Sequence, residues 1–244
     1  MYAVRLISYA DNKHALYDES KKRLFKEASD FNEFSKIKIY GYDDLTGEFK
    51  TKFQNTLEEI RGAGYWIWKF DIIEQELSDM NDGDYLIYVD CGCTINIKGK
   101  QRFFEYLDKL KSSHYGMISF LQNGNYEKQF TIDELYKEFH LPKTNEQQIN
   151  ASILIMKKCD HLFLILNDCM NILKNNQRLI TDDYNSTNKA KNPRFIENRH
   201  DQSFFDLATK KHKAIFIQDE GTKNRFPLAP FWTTRIKKNN IIKS

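Results

Sequence analysis

Long apolar runs are absent from this sequence, and so is a marked excess of charge of either sign. No segment approaches the roughly 18 consecutive apolar residues that a membrane-spanning helix needs. The N-terminal MYAVRLISYADN becomes polar too soon for a secretory signal and predicts a first β-strand. The chain has 37 Lys and Arg against 34 Asp and Glu, a net charge of +3, which is not typical of a nucleic-acid binder. We therefore expect a cytoplasmic protein that binds no nucleic acid.

The glycine-rich motifs of several nucleotide-binding classes are also missing. No Gly-x-Gly-x-x-Gly follows the first predicted strand, which argues against a dinucleotide-binding dehydrogenase. No Gly-x-x-x-x-Gly-Lys-Ser/Thr is present, which argues against a P-loop NTPase. The turn after the first predicted strand, at 10–14, contains no glycine at all. This argues against a nucleotidyltransferase, because such enzymes usually place a glycine-rich phosphate loop there.

Cysteine is scarce, with four in the chain. The abundance of apolar residues, 41% of 244, makes a disulfide framework unnecessary. Cys91 and Cys93 are separated by one residue, whereas zinc-binding pairs usually have two or more residues between them. All four are expected to be reduced thiols.

Alternating strand-like and helix-like segments predict an α/β protein with a central sheet flanked by helices in a single domain at 1–234. The predicted strands are 2–9, 36–42, 85–89, 116–121, 151–156 and 214–217. The predicted helices are 15–31, 70–80, 100–111, 160–173 and 200–211. A capping box at 131–134 is expected to open a short helix. The polar segment 180–198 is predicted to be a loop, and 235–244 a basic tail.

Asp90 directly follows the most apolar predicted strand, 85–89. A carboxylate in that place lies at the carboxyl edge of the sheet, where open α/β sheets bind ligands. It can hold a divalent metal or a ribose hydroxyl, and Gly92 lets a ligand approach the backbone closely. The alternative is an ordinary aspartate that ends a strand in a turn.

The segment 62–69 combines two glycines, three large aromatics and Lys69. Aromatic rings can stack on a base or a sugar, and a lysine can neutralise a phosphate. The alternative is that Trp66 and Trp68 fill the core beneath the sheet. This alternative is expected for one of the two tryptophans.

Two further polar segments are candidates. In 197–203, Asp201 lies at or near the N-terminus of a predicted helix, where an ionised carboxylate is favoured. The alternative is a plain N-cap aspartate beside a surface pair of Arg199 and His200. In 146–152, amides stand before a predicted strand and can bind sugar hydroxyls or simply form a loop. The pair Asp182 and Asp183 could cover the site or remain solvated.

The motifs GYWIWK…DGDYLIYVDCGC and RHDQS together resemble a group of glycosyltransferases from polysaccharide and lipopolysaccharide gene clusters and large viruses. The resemblance spans about 1–213. It implies a GT-A-like (Rossmann-like) fold with a mixed, mainly parallel sheet, a donor half at about 1–122 and an acceptor half at about 123–234. It also implies transfer of a sugar from a nucleotide sugar, expected to be a UDP-sugar, to a glycan or lipid-linked acceptor.

The same resemblance implies roles for individual residues. Asp201 matches the general base. The donor-binding residues would be Ser8, Tyr9, Tyr65, Trp68, Lys69, Asp90 and Gly92. The acceptor-binding residues would be Gln148, Asn150, His200 and Gln202.

A Mn²⁺ or Mg²⁺ ion is implied at Asp90, which matches the first aspartate of the family's DxD motif, with His200 as an additional ligand. Gly92 stands where the second acidic residue is usual, and this departure weakens the metal site. It also leaves a second hypothesis open, a non-catalytic module that binds nucleotide sugars or glycans. The basic tail could touch an anionic membrane surface weakly, or it could be solvated.

Overall fold

Six strands form the central sheet in a computed structural model that describes residues 2–11 and 18–236. The strands of the described chain are β1 (Val4–Tyr9), β2 (Lys36–Tyr40), β3 (Tyr85–Val89), β4 (Thr94–Ile95), β5 (Met117–Tyr126), β6 (Gln147–Lys157), β7 (Ile215–Gln218) and β8 (Phe231–Trp232). The sheet order is β2-β1-β3-β6-β5-β7, and only β6 runs antiparallel to its neighbours in that sheet. The expected mixed, mainly parallel sheet is confirmed.

Helices cover both faces of this sheet. They are α1 (Asp18–Phe31), α2 (Gly47–Lys52), α3 (Gln54–Leu57), α4 (Gly62–Tyr65), α5 (Trp68–Ser78), α6 (Lys100–Lys111), α7 (Glu127–Phe130), α8 (Asp133–Phe139), α9 (Asp160–Asn175), α10 (Asn185–Lys191) and α11 (Asp201–His212). Successive side chains of β3 belong to two apolar clusters, Leu86 and Tyr88 to one and Ile87 and Val89 to the other. Every residue of β3 is therefore buried, and the two layers share one sheet as a single domain.

The sequence predicted β3 and α6 at their observed bounds, and the other main strands and helices within a few residues. Two predictions in the second half were wrong. The segment 180–198 is not a plain loop, because α10 forms there with Asn188 buried and bonded to Asp133 N and the Glu134 carboxylate. The short helix expected after 131–134 does form as α8, but Thr131 is not its N-cap residue and is instead the C-cap residue of α7. Ile132 is the N-cap residue of α8, and the Thr131 hydroxyl instead accepts a hydrogen bond from Gln148.

No strand was predicted after 214–217, but the segment that follows β7 contains β8. This strand pairs antiparallel with β4, which directly follows the Asp90 loop. The pairing holds residues 231–236 close to that loop. The Ile236 N–H and the Thr234 hydroxyl both donate to the Gly92 carbonyl, at 2.9 and 3.0 Å.

All four cysteines are free, as expected. In the part of the chain that the structure describes, no helix is long and apolar enough to cross a membrane. The predictions for 12–17 and for the tail beyond Ile236 fall outside the described residues.

Candidate active site at the carboxyl edge of the sheet

Three charged side chains from distant parts of the chain meet where β3 ends. Asp90 directly follows β3, Lys69 lies in the first turn of α5, and Asp201 is the first residue of α11. The Lys69 ammonium forms a salt bridge with Asp201, donates to the Ala151 carbonyl at 2.9 Å and lies 3.7 Å from Asp90 Oδ1. The structure therefore brings together three of the residues that the sequence singled out.

Burial controls the protonation of this cluster. Removal from water raises the pKa of the Asp201 carboxyl to about 6, even though Lys69 pulls it the other way. Burial also opposes the charge on Lys69, but the carboxylates of Asp201 and Asp90 outweigh it and raise the pKa of the lysine. A carboxylate with a pKa near 6 is ionised at neutral pH and can still hold a proton, as a general base must.

Asp90 is the accessible end of the cluster, because its side chain is 29% exposed. The Tyr88 hydroxyl donates to Asp90 Oδ1 at 2.6 Å, and burial together with that carboxylate raises the pKa of Tyr88. The Asp90 N–H donates to the Ser152 carbonyl at 2.8 Å, which fastens the end of β3 to β6. A ligand would therefore meet a carboxylate that is held in place from two sides.

The predicted base-binding residues lie at the end of β1 and are more deeply buried than the sequence indicated. The Tyr9 ring stacks on Trp68 with 3.8 Å between centroids, and the Trp68 indole N–H donates to the Gly62 carbonyl. Ser8 is fully buried, and its hydroxyl has no hydrogen-bond partner within 2–11 and 18–236. Trp68 is thus the tryptophan that fills the core. The donor-binding roles of these residues stay predictions.

The glycines and aromatics of 62–66 form a left-handed turn, which the sequence did not predict. Five consecutive residues have positive φ, among them Ala63, Tyr65 and Trp66. Such a conformation costs about 1–2 kcal/mol for each residue with a side chain. Gly64 is required because a Cβ there would lie 2.8 Å from the Leu57 Cα. Strain of this kind persists where surrounding contacts enforce it, as happens around binding sites.

The left-handed turn packs its rings against His200. The imidazole lies 4.9 Å from the Tyr65 ring and 5.4 Å from the Trp66 ring. Nδ1 is 2.7 Å from the Ile180 carbonyl, so that nitrogen donates and Nε2 is the free acceptor of the neutral ring. Burial lowers the pKa of His200 to about 4. Nε2 has no hydrogen-bond partner among the described residues and lies 3.9 Å from the Asp182 carboxylate.

The predicted acceptor-binding amides form a connected but largely buried chain. Gln202 donates to the Gln148 side-chain oxygen at 2.7 Å, and Gln148 donates to Ser203 and Thr131. Asn150 is buried and donates to Asp219 at 3.3 Å. Of the four predicted residues, Gln202 is half-buried and bonded to the buried Gln148, while Asn150 and His200 are buried in separate contacts.

Arg199 and Arg235 were not assigned a role from the sequence. Arg199 donates to Gln122 at 3.0 Å and to Asn125 at 3.3 Å, both near the end of β5. The Arg235 backbone lies over Gly92, where a Cβ would be 3.5 Å from the Arg235 Cα. Arg199 belongs to the RHDQS motif, which was the available signal for it, whereas no local sequence pattern marked Arg235.

A divalent metal does not fit the residues present. No group of three or more His, Cys, Asp or Glu side chains in 2–11 and 18–236 could hold an ion. The Asp90 carboxylate already faces the Lys69 ammonium, and His200 directs Nε2 toward Asp182. A single carboxylate beside a cation is a poor ligand set for Mn²⁺ or Mg²⁺, which bind several oxygens. The predicted site of Asp90 with His200 is therefore not formed by these contacts.

Comparisons with known proteins relate the chain to solved structures alone. No protein-family model matches the sequence, and no curated protein does. One similar structure is a glycosyltransferase involved in the glycosylation of the major capsid of PBCV-1, with 13% identity over 94% of this chain and 91% of that chain and a TM-score of 0.48. Another is mouse xyloside xylosyltransferase 1, with 12% identity over 89% and 84% and a TM-score of 0.43.

A third is the glycosyltransferase GlyE of Streptococcus pneumoniae TIGR4. It has 13% identity over 96% of this chain and 54% of that chain, with a TM-score of 0.46. At this level of identity and structural overlap, nothing about function follows from the likenesses.

Proposed function

We propose that this chain is a glycosyltransferase that moves a sugar from a nucleotide-sugar donor to a hydroxyl of a glycan or lipid-linked acceptor. The observation that carries the proposal is the cluster of Asp201, Lys69 and Asp90 at the carboxyl edge of a mainly parallel sheet. Ligands of open α/β sheets bind at that edge. The motif resemblance to glycosyltransferases includes all three residues.

In the proposed reaction, the acceptor oxygen attacks the anomeric carbon of the donor sugar. The acceptor proton passes to the Asp201 carboxylate, the new carbon–oxygen bond forms, and the bond to the diphosphate breaks with its electron pair on the leaving oxygen. Lys69 acts as a positioning residue, because its ammonium holds Asp201 and contacts the Ala151 carbonyl. We propose this role for Lys69 in place of the predicted donor-binding role, because its ammonium is buried inside the cluster.

Asp201 must be ionised to accept a proton, and its pKa is raised to about 6. We therefore expect the transfer rate to rise with pH through about 6 and then to level off. A rate that falls as the pH increases from 5 to 7 would contradict the assignment of Asp201 as base.

The test is a screen of UDP-, GDP-, CMP- and dTDP-sugars for nucleotide release in the presence of simple sugar acceptors. One base should be preferred, with UDP expected, and the same donor should raise the melting temperature of the protein. Absence of both release and stabilisation with every donor would overturn the proposal.

A second candidate, a non-catalytic module that binds nucleotide sugars or glycans, is supported by one observation. Lys69 and Asp201 neutralise each other in a buried salt bridge, which can also be a structural contact. Thermal stabilisation by a donor without any turnover across the acceptors tested would favour this module over the enzyme.

A further inference from the structure

Arg199 is a half-buried cation without an anionic partner in the described chain. Its guanidinium lies 3.4 Å from the centre of the Phe130 ring and donates to the side-chain oxygens of Gln122 and Asn125. The nearby carboxylate of Glu197 is instead bonded to Arg61 at 2.6 Å. Neutral amides thus hold the guanidinium in place, and no carboxylate of the described residues forms an ion pair with it.

Burial of an unpaired charge is unfavourable, and proteins usually avoid it by pairing. β3 and β5 both run antiparallel to β6, so Arg199, held by the carboxyl half of β5, and Arg235, above the loop that follows β3, lie at the same edge of the sheet. Two arginines at one edge of the sheet, neither of them in an ion pair with a carboxylate of the described chain, are typical of a site for an anion.

Arg235 has a defined place beside the candidate donor site. The Gly92 carbonyl accepts hydrogen bonds from Ile236 and Thr234, the residues on either side of Arg235. These contacts fix the arginine above the loop that follows Asp90. The loop has glycine where the related enzymes carry a second carboxylate, so an arginine stands near the position where a metal ligand would be expected.

We propose that Arg199 and Arg235 bind the diphosphate of the nucleotide-sugar donor and supply the positive charge that a divalent metal would otherwise supply. This inference rests on the proposed function. A guanidinium matches phosphate oxygens with parallel N–H donors, and it can stabilise the charge that develops as the nucleoside diphosphate leaves. Diphosphate binding by the two arginines then explains both the poor fit of a metal to Asp90 and His200 and the unpaired charge on Arg199.

The experiment measures binding of UDP and of inorganic pyrophosphate by calorimetry, in EDTA and in Mn²⁺, to the wild-type chain and to three variants. Each probe should bind the wild type with the same affinity in EDTA as in Mn²⁺. Arg199→Gln and Arg235→Gln should each weaken binding by about tenfold or more, because each loses charged hydrogen bonds. Arg194→Gln, at an exposed arginine in the same segment as Arg199, is the matched control and should bind like the wild type.

Arg235 is exposed, so its variant should fold normally even if Arg199→Gln does not. Binding that requires Mn²⁺, or unchanged affinity in Arg235→Gln and in a folded Arg199→Gln, would overturn the inference and leave the transferase proposal standing. Failure of pyrophosphate and of UDP, GDP, CDP and dTDP to bind the wild type in either buffer would overturn both.

Discussion

Helix α11 carries two buried aspartates, each paired with a lysine, that differ in the exposure of a neighbouring carboxylate. Asp201 faces Lys69, and Asp206 faces Lys210 at 3.0 Å. Burial raises the pKa of Asp201 to about 6 and that of Asp206 to about 7. By titration alone, either aspartate would qualify as a functional residue.

The neighbouring second carboxylate distinguishes the two clusters. Next to Asp206 it is Glu127, which is 1% exposed and bonded to Lys210, Tyr136 and Thr144. Next to Asp201 it is Asp90, with 29% of its side chain exposed at the sheet edge. A raised pKa therefore reports burial in both clusters, and only the cluster that a ligand can reach is a candidate for chemistry.

Activity should separate the two aspartates most strongly. Asp201→Asn removes the proton acceptor while keeping the shape of the side chain, so sugar transfer should fall by about 10²–10⁴-fold with donor affinity unchanged. Asp206→Asn is the matched control on the same helix and should leave turnover nearly unchanged. Steady-state kinetics with the donor found in the screen would check both. An equal loss in the two variants would remove the functional difference between the clusters.

The free energy of unfolding should separate the two lysines, with the larger loss in the Lys210 cluster, which has the smaller effect on activity. Lys210→Met leaves Glu127 and Asp206 buried without a cation, and we expect the free energy of unfolding to fall by about 3–5 kcal/mol. Lys69→Met should cost less, because Asp90 is partly solvated, whereas both carboxylates of the Lys210 cluster are buried. Urea unfolding would compare the midpoints at equal slope. A larger loss for Lys69→Met would mean that the cluster at the sheet edge is the main structural one.

The smallest expected effect is in the pH dependence of stability. The pKa of Asp206 rises from 3.8 to about 7 on folding, so the protonated form favours the folded state. Its stabilising contribution is complete below about pH 4 and is lost as the pH rises through 7, at no more than about 1.4 kcal/mol per pH unit. Asp206→Asn should remove this decline, and Asp201→Asn should remove a similar one that ends near pH 6. A wild-type chain whose stability rises between pH 4 and 7 relative to both variants would contradict these shifts.

The parts of the fold that could be predicted are those with strong local patterns. The sequence predicted β3 and α6 at their observed bounds. Burial on both faces leaves a continuous apolar run in β3, and burial of one face leaves a helical period in α6. The helix α10 left no such period. It is polar, and its buried Asn188 is stabilised by partners in α8.

The candidate site was only partly predictable for the same reason. Asp90 could be placed at the sheet edge from its strand alone, and Asp201 at a helix N-terminus from the segment around it. The salt bridge between Lys69 and Asp201 joins residues 132 positions apart, and no local signal announces such a contact. Lys69 was accordingly predicted to contact the diphosphate, whereas the structure pairs it with Asp201.

The sequence by itself determined the alternation of strands and helices, the strand that ends in Asp90 and the residues that belong to the two motifs. These features depend on local periodicity and on neighbours along the chain. Tertiary structure decided the left-handed turn at 62–66, the position of Arg235 above Gly92 and the pairing of Lys69 with Asp201. Each of these depends on contacts between distant segments, which alone make a strained turn or a buried charge stable.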